Sequence, residues 1–402
     1  MHALVYIRRN DSLNQAVLDY AKDSLSASKI TSVSEYFNGD FRIDMNDTSQ
    51  DYSWQTQQFI DCELNLQKIM VRDRLLRNIT FKEALILVRR AVGKVLAVLE
   101  QQKYDALVVY PVDNYITDIL IQIAQSKNIP YYGVCNFFLP DYKRQTVYGE
   151  HNPVRIPDSV EVECVLQQLQ NSFRSYMAPS RGKAIKSAVV RYIKYKARYP
   201  LFYLLGYKVF RRNEYDLMCT PYITTVRSFL NFFVERHFTS VGRIDFKKKT
   251  ILVPLHYFPE ATIEYWCGNL SQVEFEDMLL CEINQLSERY EQIILKEHPV
   301  SVYNNPSSFY KRLLNNPKVV LIDPFVSTNK LLEYVDVLGC WTGTAGIEAL
   351  VNNKKVEFFS TDSYYQQAMN ICPENIKYDG KAISISDPAI FVEEILKGCI
   401  VQ

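Results

Sequence analysis

Two stretches of this chain carry the side chains best suited to holding an anion: Lys296-Glu297-His298-Pro299 and Thr342-Gly343-Thr344-Ala345-Gly346-Ile347-Glu348. Gly343 and Gly346 permit a tight strand-to-helix turn and a close approach of backbone to ligand. The free N–H groups and positive end of the helix that follows suit a phosphate. Lys296, Glu297 and His298 follow directly on an apolar run, and Lys296 and His298 add charge or hydrogen bonds to the same anion. Thr342 and Thr344 add hydroxyl donors. Glu348 falls in the first helical turn, where it can accept from ribose hydroxyls or act only as a partner of the helix dipole. A separate carboxylate, Asp113, sits just past the apolar run Ala106-Leu107-Val108-Val109-Tyr110. There it can serve as a catalytic base or merely cap the next helix, with Asp118 one turn on as the second candidate.

These residues need strands to present them. Strand-like runs at 250–255, 292–295, 319–322, 335–341 and 355–359 alternate with helical patterns, the longest from about Val273 to Arg289. That alternation predicts a parallel, doubly wound sheet, whose ligands bind beyond the carboxyl ends of its strands. Both anion-holding stretches lie at such ends. The N-terminal half repeats the pattern: a strand at Ala3 to Ile7 with a helix at Leu13 to Ser24, then strands at 106–110 and 129–134 with a helix between them. The expected fold is therefore α/β with two Rossmann-like doubly wound domains. The expected division is 1–160 for the N-terminal domain, 161–249 for a basic, aromatic helical insert, 250–385 for the C-terminal domain and 386–402 for a final helix.

Composition narrows the classes. A chain of 402 residues, 48% hydrophobic, supports two real cores, and a net charge of +1 gives no global nucleic-acid signature. Nine Cys are scattered without a CxxC or a Cys/His zinc spacing, which reads as reduced thiols in the cytoplasm. Met1 to Arg8 reads as a short strand rather than a signal peptide, and no apolar run reaches membrane-spanning length. No two Asp are separated by a single residue, so the Asp-x-Asp signature for a metal-held diphosphate is missing and no metal site is expected. Residues 174–213 hold eleven Lys or Arg and no acid, interleaved with aromatic residues. Such a segment suits an anionic membrane surface or acceptor, or a basic interdomain helix packed on its apolar side. Arg72-Asp73-Arg74 reads as a solvated or ion-paired helix face.

The blocks His256-Tyr257-Phe258-Pro259-Glu260-Ala261-Thr262, Lys296-Glu297-His298-Pro299, Gly343-Thr344-Ala345-Gly346-Ile347-Glu348-Ala349-Leu350 and Phe358-Phe359 with Tyr364 occur in a distinctive order. In that order and spacing the chain resembles bacterial capsule and surface-polysaccharide biosynthesis glycosyltransferases. These are GT-B enzymes, related in pattern to the Kdo transferases of capsule assembly and more distantly to sialyltransferases with a His-Pro motif. Kdo transferases of this kind carry a Trp-Gly after the Phe-Tyr block, where this chain has Gln366-Gln367-Ala368.

The resemblance implies two Rossmann-like domains facing a cleft, with the nucleotide-sugar donor on Lys296, Glu297, His298, Thr342, Gly343, Thr344, Gly346 and Glu348. A glycan or lipid-linked acceptor would enter from the N-terminal domain. Asp113, His298 and Glu260 are the expected catalytic residues, Glu260 either facing the donor sugar or ordering its loop. The donor is a substrate, and no cofactor is expected. Other readings of the same scaffold are a nucleotide-sugar epimerase, a glycerophosphate transferase, or a non-catalytic subunit that binds a nucleotide sugar or polymer.

Overall fold

A computed structural model describes residues 1–8, 11–35, 38–45, 47, 54–171, 179–198, 201, 205, 230–258, 260–267 and 275–401. Its strands are β1 (His2–Tyr6), β2 (Lys29–Ser34), β3 (Phe41–Arg42), β4 (Ala106–Val109), β5 (Tyr131–Asn136), β6 (Tyr142–Gln145) and β7 (Thr250–Pro254). They continue with β8 (Gln292–Lys296), β9 (Val319–Ile322), β10 (Val337–Cys340), β11 (Lys355–Phe358), β12 (Ile376–Asp379), β13 (Ala382–Ile385) and β14 (Cys399–Val401). They form two seven-stranded sheets, ordered β14-β6-β5-β4-β1-β2-β3 and β12-β13-β11-β10-β7-β8-β9. Strands β3 to β5 of the first sheet and β9 to β11 of the second run parallel. The two doubly wound, Rossmann-like units are those of a GT-B fold, as the sequence predicts.

Each sheet is built from runs that are apolar on both faces, because helices cover both sides. All four residues of β4 and all five of β8 are buried. The helix Phe81–Gln101 starts at a capping box, in which Thr80 and Glu83 exchange side chain-to-backbone hydrogen bonds, and it buries an apolar stripe ending at Leu99. Among the described residues no helix is long and apolar enough to cross a membrane.

Both sheets reverse their strand order once. In the first, β2 lies on one side of β1 and β4 on the other; in the second, β8 lies on one side of β7 and β10 on the other. Such switch points leave a crevice at the carboxyl ends of the two diverging strands.

The carboxyl ends of β4 and β7 meet at the domain junction. The chain leaving β7 carries a short helix, Ala261–Glu264, and Tyr265 and Trp266, which pack into the N-terminal core. Trp266 Nε1 donates to the carbonyl of Val112 at 2.8 Å, and Tyr265 Oη donates to Asp73 Oδ2 at 2.9 Å. Full burial of an aromatic ring of this size contributes about 1.5–3 kcal/mol. Gly149 has φ +87° and lies where a Cβ would come within 2.3 Å of Trp266 Cβ, so only glycine fits against the indole. The Glu264 carboxylate, fully buried, pairs with both Arg74 and Arg77. At the end of the chain, β14 pairs antiparallel with β6 and closes the N-terminal sheet.

Of Arg72-Asp73-Arg74, Arg74 is ion-paired, with Glu264, and the segment faces the junction rather than solvent. Asp73 is 0% exposed and also accepts from the N–H groups of Leu75, Leu76 and Tyr115. The C-terminal domain's loop covers it, which helical periodicity within the N-terminal half does not reveal.

Candidate active site

Three neighbouring strands, β10, β7 and β8, present the C-terminal part of the site. Their registers, Leu338 with Leu252 and Pro254 with Lys296, bring their carboxyl ends together. His256 leaves β7, Lys296 to Pro299 leave β8, and Thr342 to Gly346 leave β10.

The backbone N–H of Thr342 donates to His256 Nε2 at 3.2 Å. A backbone N–H can only donate, so Nε2 carries the lone pair and the neutral ring holds its proton at Nδ1. Burial agrees, pushing the His256 pKa down to about 4. His298 has the opposite tautomer. Its Nδ1 accepts from the Val300 N–H at 3.2 Å, which leaves Nε2–H as a donor. Desolvation, then the charges of Lys296 and Arg191, push its pKa down to about 3. His298 is therefore a neutral hydrogen-bond donor, not a cation.

Lys296 supplies positive charge from an almost buried position, 8% exposed. Glu348 is also 8% exposed; burial pushes its carboxyl up to about 7, opposed by the Lys296 ammonium. Glu297 points the other way, into the core. It accepts from Asn305 Nδ2 at 2.9 Å, Tyr310 Oη at 3.1 Å and the His298 N–H at 2.8 Å, so it orders the loop that carries His298. Burial pushes its pKa up to about 7.

The two glycines do different work. A Cβ on Gly343 would meet only the His256 ring, at 3.5 Å, whereas one on Gly346 would sit 2.8 Å from Tyr365 Oη and 2.9 Å from Cys340 Sγ. Gly346 therefore lets the helix Ala345–Val351 lie close on β10, and Gly343 leaves the turn open toward His256. Thr344 occupies the N-cap position of that helix without a side-chain cap. Gln366 and Gln367, which stand where the Trp-Gly of Kdo transferases would be, have local tasks. Gln366 forms a capping box with Ser363, and Gln367 Oε1 accepts the His151 N–H at 2.9 Å across the junction.

The N-terminal sheet contributes its own switch point. Arg8, just past β1, and Asp113, just past β4, form a two-fold hydrogen-bonded ion pair, Nη1 to Oδ2 and Nη2 to Oδ1. The Arg8 guanidinium also lies 5.1 Å from the Tyr110 ring centroid. The helix Tyr115–Ser126 is capped by Asn114, whose Oδ1 accepts the Thr117 N–H at 2.9 Å, so Asp113 is not the cap. Asp118 is 0% exposed and accepts from Tyr148 Oη at 2.7 Å and Gln122 Nε2 at 2.9 Å; burial pushes its pKa up.

Glu260 comes from the C-terminal domain but lies at the junction. Its Oε2 accepts from Thr262 Oγ1 at 2.8 Å, and its charge, with that of Asp113, reaches the Tyr110 hydroxyl, whose pKa burial chiefly raises. The expected site residues thus fall into two groups. Lys296, His298, Thr342, Gly343, Thr344, Gly346 and Glu348 gather on the C-terminal strand ends. Asp113 and Glu260 flank Tyr110. Arg8 was not among the expected residues; its signal is an arginine just past the first strand.

Compared with known proteins, residues 105–369 match the family model described as "Capsule polysaccharide biosynthesis protein". The chain belongs to that family. The match begins at β4, leaves β1 to β3 outside it and takes in most of the C-terminal domain, and it bears out the resemblance to capsule-biosynthesis proteins read from the motifs. A search of curated proteins finds no match. Among solved structures, the chain is similar to the β-Kdo 2,7-transferase KpsC of Thermosulfurimonas dismutans, with 15% identity over 76% of this chain and 79% of that one and a TM-score of 0.34. It is similar as well to the UDP-GlcNAc 2-epimerase of Neisseria meningitidis bound to UDP-GlcNAc, with 13% identity over 98% and 94% of the two chains and a TM-score of 0.32. Among the described residues of this capsule-biosynthesis protein, no three His, Cys, Asp or Glu side chains gather as metal ligands.

Proposed function

We propose that this protein transfers a sugar from a nucleotide-activated donor to a surface-glycan acceptor, with no obligatory metal. The observation that carries the reading is the convergence of Lys296, the His298 Nε2–H and the Thr342–Gly346 turn at the β7/β10 switch point. The chemical task is to stabilise a departing nucleotide phosphate, and prearranged donors in a partly desolvated crevice do this without reorganising. Lys296 supplies the charge, His298 a neutral donor, and the backbone N–H groups of Gly343 and Thr344 complete the cradle. Glu348 receives ribose hydroxyls.

On the acceptor side, Asp113 accepts from both Nη groups of Arg8. A carboxylate has about four lone-pair positions; two accept from Arg8 and one from Asn114 Nδ2, which leaves about one for an acceptor hydroxyl. Asp113 is then the base, oriented by Arg8, and Glu260 faces the donor sugar from the opposite domain. Product analysis tests the reading. Purified protein with a nucleotide sugar and a glycan acceptor is expected to give an extended glycan and free nucleotide. Conversion of the donor sugar to its epimer without acceptor would identify an epimerase instead, and no turnover of any donor would favour a binding subunit.

The proposal extends to contact with an anionic membrane at the cytoplasmic face, where a lipid-linked acceptor would lie. The helix Arg181–Ile193 supports it by exposing Val190 and Ile193 beside Lys183 and Lys186. Much of the basic stretch 174–213 lies outside the described residues. Co-sedimentation with vesicles should require acidic lipid and weaken with salt; equal binding to neutral vesicles would remove this part of the proposal.

A further inference from the structure

Arg191 belongs to the basic stretch, yet it is turned toward the strand ends. On the helix Arg181–Ile193, Ala184 and Ala188 are buried at 2% and 0% exposure, and Arg191 lies one turn further along the same stripe. Two small residues let the helix approach the C-terminal core closely, so a long side chain on the next turn reaches past the core to the crevice.

Its contacts join two of the three loops of the site. Arg191 Nη1 donates to Tyr257 Oη at 3.1 Å, and the guanidinium stands 5.8 Å from the Tyr257 ring centroid. Nη2 donates to Ser187 Oγ at 3.0 Å and, at 3.5 Å, to the carbonyl of Val300. Tyr257 follows His256 out of β7, and its ring centroid is 6.0 Å from that of His298. Val300 is the residue whose N–H fixes the His298 tautomer. Arg191 therefore touches the β7 loop and the β8 loop on either side of His298. Arg8, Arg74, Arg155, Arg181, Arg289 and Arg312 each pair with a carboxylate, whereas among the described residues Arg191 forms no ion pair. Held by hydroxyl and carbonyl oxygens, its charge stays available to an anionic ligand, and its planar fork matches phosphate geometry.

We propose that Arg191 is a donor-site residue, laid over Tyr257 by the insert helix to clamp a phosphate of the nucleotide together with Lys296 and His298. The inference rests on the reading of the strand ends as the donor site. It assigns the helix a role in catalysis in addition to any surface contact.

Isothermal titration of the full-length protein with CMP, UDP, GDP and CDP tests it, using whichever nucleotide binds the wild type. Arg191→Met is expected to weaken binding about tenfold or more, and Arg191→Lys, which keeps the charge without the fork, by less. Lys183→Met, exposed on the same helix, should bind as wild type. Wild-type affinity should fall more steeply with salt than that of Arg191→Met. Should Arg191→Met melt early, Arg191→Lys and the wild-type salt dependence decide. If Lys296→Met loses binding while both Arg191 variants bind as wild type, Arg191 is only a helix anchor and the proposal is overturned with the donor site intact. If Lys296→Met also binds as wild type, or no nucleotide binds at all, the donor-site reading itself fails and takes the proposal with it.

Discussion

The Thr342 backbone N–H and His256 Nε2 meet at 3.2 Å across the point where the C-terminal sheet reverses its strand order. The bond ties the turn bearing Gly343 and Thr344 to the loop that runs on through Glu260 into the N-terminal core. The strand-end turn and the domain junction are therefore tied through one segment, which carries His256, Glu260, Tyr265 and Trp266.

His256→Gln keeps an acceptor near the ε position and should preserve nucleotide affinity within about threefold, while His256→Ala should weaken it by about 1–3 kcal/mol. Stability adds a pH signature. The folded pKa is about 4 against an ordinary 6.5. Above 6.5 both folded and unfolded forms are neutral. As pH falls from 6.5 toward 4, the unfolded chain takes up a proton that the folded ring refuses, so stability is lost at up to about 1.4 kcal/mol per pH unit from this residue. Urea unfolding at about pH 7 and about pH 5 should show wild type losing more stability on acidification than His256→Gln; parallel losses would place the ring elsewhere than in this buried, neutral state.

Asp113→Asn should lower kcat by about 100-fold or more with nucleotide affinity unchanged, because the proposed base lies on the acceptor side. Arg8→Lys keeps charge but not the two-fold pairing, and should fall between the two. Steady-state kinetics paired with nucleotide titration separate the terms. A kcat within threefold of wild type for Asp113→Asn would transfer the role to Glu260.

Much of this was legible because strands that are apolar on both faces announce themselves. β4, β8 and β9 follow directly from Ala106-Leu107-Val108-Val109, Ile293-Ile294-Leu295 and Val319-Val320-Leu321-Ile322, and the strand ends place Lys296, His298 and Gly343 together. The final helix, Pro388–Lys397, was likewise plain. β6 and β14 were not read, since Tyr142-Lys143-Arg144-Gln145 is polar and its pairing partner is more than two hundred residues away. The inward turn of Glu297 was also hidden, because it depends on Asn305 and Tyr310 in the following loop and helix. Arg191 looked like one cation among eleven until the buried alanines fixed which stripe of its helix faces the core.

Activity should survive excess EDTA. The phosphate charge is assigned to Lys296, the His298 donor and the backbone turn, and the chain has no Asp-x-Asp. Turnover measured before and after chelation checks this. Complete loss, restored by magnesium or manganese, would give that task to a metal.

Glu264→Gln should destabilise the protein by about 3–5 kcal/mol, since it strips the half-buried Arg74 and Arg77 of the buried carboxylate they share. Urea unfolding reads the loss directly. A change below about 1 kcal/mol would mean that the junction rests on Tyr265 and Trp266 alone.

Nucleotide titration of Lys296→Ala and His298→Ala addresses the central claim most directly, that the donor is held at the ends of β8 and β10. Each variant should lose about 1–3 kcal/mol of binding to the nucleotide that wild type prefers, with its fold intact by circular dichroism. Unchanged affinity in both variants would contradict the account and move the donor away from these strand ends.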